Sequence, residues 1–249
     1  MKRLIPALLL TLAVTGQAIA QEPLKVVARA FEPFSYLDEN GDPAGVEYEI
    51  LQYFAKSQGR EIDIVWVETF AELMPRFDQG DVDLASGTVS ITASREEMYD
   101  FSSSYFPVRI RLVEPRTQTA STLDDLAGET LITMSGTTYE RVLSTISEVS
   151  FVYAGDENEE LAMLDRGEGR ATALDSVLGL LYLKDYPSLH MTLPISELQH
   201  YGFLVAEGSP LAAELSKHLD QLKLSGIYFR ILRKYLGQEA VDLVQWAKE

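Results

Sequence analysis

The sequence predicts an α/β protein of two lobes, each a mainly parallel sheet flanked by helices. Strand-like and helix-like segments alternate along most of the 249 residues, as in layered α/β sheets. The polar stretch Glu114 to Thr122 breaks this alternation into two runs. The hydrophobic share, 46%, suffices for one large or two smaller cores.

The chain opens with MKRLIPALLLTLAVTGQAIA, where Lys2 and Arg3 precede an apolar run and Ala18 and Ala20 supply small residues before a cut. This reads as a secretory signal peptide over residues 1–20, cleaved near Ala20. The run is shorter than the roughly 20 residues a membrane-spanning helix needs. The chain has no cysteine, so neither a lipid-bearing cysteine nor a disulfide is expected. An exported, unanchored, periplasmic protein is the expectation.

In the first run, Leu24 to Ala30 has a strand's composition, and Asp38 to Pro43 has the chemistry of a loop. Ile50, Leu51, Phe54 and Ala55 recur at helical spacing and stop before Gly59. Ile62 to Val67 reads as a buried strand. Phe70, Leu73, Met74 and Phe77 make an amphipathic helix ending at Gly80, and Asp83 to Ser86 is a short strand.

After Pro107 the strand-like Val108 to Val113 leads into the polar stretch, beyond which come a short helix in TLDDLAG and the strand Thr130 to Met134. A helix carrying Val142, Leu143 and Ile146, the strand Phe151 to Ala154, a helix over Asn158 to Arg166 and the strand Ala171 to Leu174 follow. Asp175 opens an apolar helix. After a loop, His200 to Ala206 is strand-like, and two helical stripes follow, the second ending before Gly237.

The balance of 38 acidic against 21 basic residues, net −17, disfavours nucleic acid and anionic membranes as partners; its simplest meaning is solubility. His190, His200 and His218 have no ligand-like spacing, so no metal site is expected. The motifs GxxxxGK[ST], GxSxG and SxxK are absent, and no cofactor is implied.

The densest chemistry lies in Gly87 to Pro107, GTVSITASREEMYDFSSSYFP. Gly87, Thr88 and Ser90 expose peptide groups and a hydroxyl, and Arg95 offers a two-pronged grip on a carboxylate. The alternative for Arg95 is a surface pair with Glu96 or Glu97. In register, Ser90, Ile91, Thr92, Arg95, Phe101, Ser102 and Tyr105 resemble the signature of extracellular solute-binding proteins of the polar amino-acid family, the binding components of ABC transporters.

That resemblance covers nearly the whole chain after the leader and implies a type II periplasmic-binding-protein fold. Lobe one would be discontinuous, 21–107 and 201–249; lobe two would be 108–200, with two crossing strands as a hinge. It implies that Arg95 binds a ligand's α-carboxylate with help from Ser90, and that the Thr88 carbonyl accepts from the α-ammonium. Thr137 and Thr138, in SGTTYE, would close on the same carboxylate, with a helix N-cap as the alternative role of Thr137. Asp175 would meet the α-ammonium, or else serve as an N-cap. Phe31, in FEPFSY, and Phe70 would sandwich the ligand's aliphatic part; a loop anchor and a core residue are their alternatives.

The departures bear on specificity. Ala28, followed by Arg29, stands where basic-ligand binders of the family carry an aspartate, and Met134 where glutamine binders carry a lysine. Glu32 and Tyr139 are additions expected at the cleft edge, and Arg170 replaces an aspartate, with a structural role expected. The resulting expectation is a monomeric, non-enzymatic carrier of a moderately polar or apolar amino acid or related carboxylate, serving a membrane ABC permease. The alternatives are a carrier for a chemosensory receptor, or a cyclohexadienyl or arogenate dehydratase on the same fold with Glu32 as its acid.

Overall fold

The computed structural model describes residues 21–246, so the expected signal peptide lies outside the described residues. In chain order the elements are β1 (Leu24–Arg29), β2 (Tyr36–Leu37), β3 (Pro43–Ala44), α1 (Val46–Ser57), β4 (Ile62–Val67), α2 (Phe70–Phe77), β5 (Leu84–Ser86), α3 (Ala93–Glu96), β6 (Tyr99–Phe101), β7 (Phe106–Val108) and β8 (Ile110–Pro115). After a short 3-10 turn come β9 (Thr130–Thr133), α4 (Thr138–Leu143), β10 (Ser150–Tyr153), α5 (Glu157–Asp165), β11 (Thr172–Asp175), α6 (Ser176–Tyr182), β12 (Leu189–Pro194), β13 (Gln199–Tyr201), β14 (Leu204–Ala206), α7 (Leu211–Leu224) and α8 (Ile227–Trp246).

The first sheet has the order β4-β1-β5-β14-β6. Its first three strands are parallel, as expected of β-α-β units, whereas β14 pairs antiparallel with both β5 and β6. The sheet is therefore mixed, because β14 belongs to the returning chain. Helix α1 buries Val46, Ile50, Leu51, Phe54 and Ala55, the face its spacing predicts. Helix α2 buries Phe70, Leu73 and Phe77 and is opened by a reciprocal capping box between Thr69 and Glu72. β4 forms the sheet edge, so of its residues only Val67 is fully buried; the buried strand expected over 62–67 is half-exposed.

The second group of strands also departs from a mainly parallel sheet. β10 and β9 are parallel, but β11 and β12 flank β8 in antiparallel register. A parallel bridge between Leu131 and Ala171 joins the two parts. The direction of β8 is the cause: it is the strand by which the chain enters this unit, so it opposes the strands that follow. The strand expected over 108–113 is broken at Arg109 into β7 and β8, and that expected over 200–206 is broken at Gly202 and Phe203 into β13 and β14.

β7 and β13 pair antiparallel, Phe106 opposite Tyr201, and carry the chain between the two sheet groups. A wholly buried aromatic group lies under this crossing: Tyr105, Phe106, Tyr201 and Phe203, with Phe34 edge-on to Phe106 and Tyr201. The helical stretch expected to stop before Gly237 continues to Trp246, kinked where Gly237 adopts φ 82, and Ala240, Val241 and Val244 bury its far end. Among the described residues no helix is long and apolar enough to cross a membrane.

Candidate ligand-binding site

The sheets aim the carboxyl ends of their strands, and the starts of the following helices, at one narrow cavity of about 20 Å³. α/β sheets bind ligands at such crevices, and it is the polar lining of this one, not its volume, that points to a ligand. From the first sheet group come Arg29 at the end of β1, Phe70 at the start of α2, Thr88 and Ser90 from the loop after β5, and Arg95 from α3. The second group supplies Met134, Thr137, Thr138 and Tyr139 around the start of α4, Glu157 opening α5, and Asp175 ending β11.

Seven of the eight residues expected at the site thus line a single cavity: Phe70, Thr88, Ser90, Arg95, Thr137, Thr138 and Asp175. Phe31 does not. It lines a neighbouring cavity with Glu32 and Tyr182, because the Arg29 guanidinium lies 4.2 Å over its ring. The expected sandwich between Phe31 and Phe70 is not formed.

Arg95 donates to the Ser90 carbonyl at 2.9 Å and stands 5.1 Å over the Phe70 ring. No carboxylate among the described residues lies within salt-bridge distance of it, so the expected alternative pairs with Glu96 or Glu97 are not made. Desolvation lowers its pKa to about 10, reinforced by the nearby charge of Arg141 and opposed by Asp175. Arg95 therefore remains charged at neutral pH and keeps donor capacity for an anion.

Asp175 is buried, with one oxygen accepting from the hydroxyls of Tyr139, at 3.1 Å, and Tyr201. Its other oxygen is buried without a hydrogen-bond partner. Burial pushes its pKa up to about 6, although both tyrosine hydroxyls act to lower it. An ammonium group would satisfy the free oxygen and favour the ionised form. Asp175 also stands at the N-cap position of α6, where its side chain makes no capping bond.

Thr137 does cap α4: its hydroxyl accepts from the Glu140 amide at 3.2 Å and donates to the Met134 carbonyl at 2.7 Å. Thr88 adopts φ 54, and its amide donates to Glu47 at 2.9 Å. Glu47 is the buried anchor of this loop, accepting also from Gly87, Ser35, Ser86 and Tyr105. Glu47 lies in the first turn of α1, and the sequence alone does not single it out. The second half of the signature proves architectural: Ser102 bonds the backbone of Phe203, and the Tyr105 amide donates to the carbonyl of Tyr201.

The most consequential residues missed from sequence are Arg29 and Glu157. They form a bidentate ion pair across the two sheet groups, each about 2% exposed, with Arg29 Nη1 donating to Glu157 Oε1 at 3.0 Å. Desolvation works against the Arg29 charge, but Glu157 outweighs it and raises the guanidinium's pKa. Tyr139, expected at the cleft edge, is buried against Asp175. Glu32, expected beside it, is exposed, and only its backbone carbonyl is engaged, by the Tyr182 hydroxyl. Arg170 pairs with the fully buried Glu114, away from the cavity. No group of three or more His, Cys, Asp or Glu side chains among the described residues could hold a metal ion.

Residues 24–238 match the family model described as bacterial extracellular solute-binding proteins, family 3. The chain is 28% identical over 224 residues to a probable histidine-binding protein of Neisseria gonorrhoeae, covering 84% of this chain and 81% of that one. It is 27% identical over 212 residues to the membrane-bound lytic murein transglycosylase F of Desulfosudis oleivorans, covering 81% of this chain but 46% of that protein. An ancestral arginine-binding protein bound to arginine superposes with a TM-score of 0.77 at 25% identity, over 88% of this chain and 100% of the other.

Proposed function

The chain belongs to the bacterial extracellular solute-binding proteins of family 3, and from that premise we propose that it captures a free amino acid between Arg95 and Asp175. The α-carboxylate sits on Arg95 with Ser90, Thr137 and Thr138 around it, and the α-ammonium on Asp175 and the Thr88 carbonyl. The observation that carries this reading is the pairing of opposites in one cavity: a guanidinium without an anionic partner and a buried carboxylate oxygen without a donor. A zwitterion satisfies both.

Arg95 and Asp175 come from different sheet groups, so the ligand gains both contacts only when the groups are together. Residues 21–107 with 201–249, and 108–200, would act as two lobes turning about the paired strands β7 and β13. Closure is then driven by the ligand's differential contact with the closed form. Each charge-assisted bond contributes about 1.5–3 kcal/mol net, and a few of them approach the roughly −8 kcal/mol of micromolar binding. We further propose a periplasmic monomer, exported by the residue 1–20 leader, that hands its ligand to an ABC permease. The dehydratase alternative loses its expected acid, since the Glu32 side chain lies outside the Arg95 cavity.

Calorimetric titration of refolded, ligand-stripped protein against the twenty amino acids tests this reading. Micromolar binding of one or a few, abolished in Arg95→Ala, is the expected result. Silence across the set from folded protein would overturn it.

A further inference from the structure

The Arg29–Glu157 pair is a partition. Both residues line the Arg95 cavity, and both also line the larger neighbouring cavity that holds Phe31 and Tyr182. The pair therefore ends the space available to a ligand whose α-groups are held at Arg95 and Asp175, and it presents that ligand's side chain with a guanidinium and a carboxylate already bound to each other through two contacts. We propose that this pair sets the ligand class: it selects amino acids with uncharged side chains and rejects both acidic and basic ones. The inference rests on the amino-acid reading of the same site.

The electrostatics of the cavity carry the argument. Arg95 and Asp175 are matched by the ligand's own α-carboxylate and α-ammonium, and Arg29 and Glu157 are matched by each other. A ligand side chain with a carboxylate would have to share Arg29 with Glu157, crowding two anions onto one guanidinium near Asp175. A cationic side chain would have to share Glu157 with Arg29, adding a positive charge where Arg29 and Arg95 already stand. In a buried site a charge that displaces one member of an ion pair leaves the other unpaired, and that cost falls on the charged ligand alone. An uncharged side chain leaves the pair intact. This specificity differs from the basic ligands named for the histidine-binding and arginine-binding relatives.

Near-isosteric ligand pairs separate charge from size. Titrating wild-type protein with aspartate against asparagine, glutamate against glutamine, and lysine against methionine should show the uncharged member of each pair at least tenfold tighter wherever either binds. Glu157→Gln, which leaves Arg29 facing the cavity unpaired, should raise the ratio of glutamate to glutamine affinity at least tenfold. Arg29→Gln should raise the ratio of lysine to methionine affinity. A structural role for the pair would weaken all ligands together and move neither ratio. Preference of the wild-type protein for a charged member, or unchanged ratios in the folded variants, would overturn the inference while leaving the amino-acid reading standing. Binding of no amino acid at all would remove both, and the same titrations distinguish that case.

Discussion

The hydroxyl of Tyr201, on a strand that carries the chain between the sheet groups, donates to the carboxylate of Asp175 at the far wall of the cavity. The crossing point and the ammonium-binding carboxylate are thus one hydrogen-bonded unit, and Tyr139 completes it from α4. This contact holds one oxygen of Asp175 and leaves the other to the cavity.

Removing that contact should change titration as well as affinity. The Tyr201 hydroxyl acts to lower the Asp175 pKa, so Tyr201→Phe raises it above about 6 and shifts the pH midpoint of amino-acid binding upward. Calorimetry between pH 5 and 8 reads the midpoint directly, and an unmoved midpoint would separate Tyr201 from the site.

Stability and affinity should respond to pH with opposite signs. The Asp175 pKa is raised in the folded protein to about 6, so its contribution to stability is fully present below the ordinary carboxylate pKa and is lost as pH rises through about 6, by up to about 3 kcal/mol. Binding of an ammonium needs the carboxylate, so affinity rises over the same window, at most about tenfold per pH unit. Subtracting Asp175→Asn isolates this residue from the other buried acids. Urea denaturation and calorimetry of both proteins at pH 4.5 and 7.5 should show the free wild type losing stability relative to the variant while it gains affinity.

Glu47 should matter more to folding than its place at a helix start suggests. It is fully buried and accepts from the Thr88 and Gly87 amides at 2.9 and 3.3 Å, so Glu47→Ala leaves several buried donors unpaired. A loss of about 3 kcal/mol or more in denaturant stability is expected, with weaker ligand binding as the Thr88 loop is released. A loss below about 1 kcal/mol would contradict this role.

Gly45 and Gly41 provide an internal comparison. Both adopt positive φ, but a Cβ on Gly45 would meet the Phe34 carbonyl oxygen at 2.2 Å, whereas one on Gly41 meets nothing within 4 Å. Gly41→Ala should cost about 1 kcal/mol of backbone strain, and Gly45→Ala that amount plus a backbone clash, about 2 kcal/mol or more in total. Equal losses on chemical denaturation would contradict the packing around α1.

How much of this was legible in the sequence follows from where each signal lies. Helix faces such as Ile50, Leu51, Phe54 and Ala55 repeat locally and were readable, as was the α/β class. The antiparallel strands were not, because the direction of β8 and β14 depends on which sheet the chain is crossing into. β12, LHMTLP, does alternate apolar and polar residues and carries a strand signal that the sequence reading passes over. Arg95 stood out within a dense local motif. Arg29 and Glu157 lie 128 residues apart, and each alone is an unremarkable charged residue, one ending a strand and one opening a helix. Their partnership exists only in the fold. Phe31 lies outside the Arg95 cavity for the same reason, because the Arg29 side chain stacked over its ring is visible only in the fold.

The most direct test of zwitterion capture alters the ligand and the protein together. The best-binding amino acid and its α-carboxamide would be titrated calorimetrically against wild type and Arg95→Ala. Capture of the α-carboxylate by Arg95 predicts that either change alone weakens binding at least about a hundredfold, from the loss of one or two charge-assisted bonds. The two changes made together should weaken it little further, because they remove the same contact. An amide that binds wild type as tightly as the acid, or Arg95→Ala that keeps its affinity, would contradict the account.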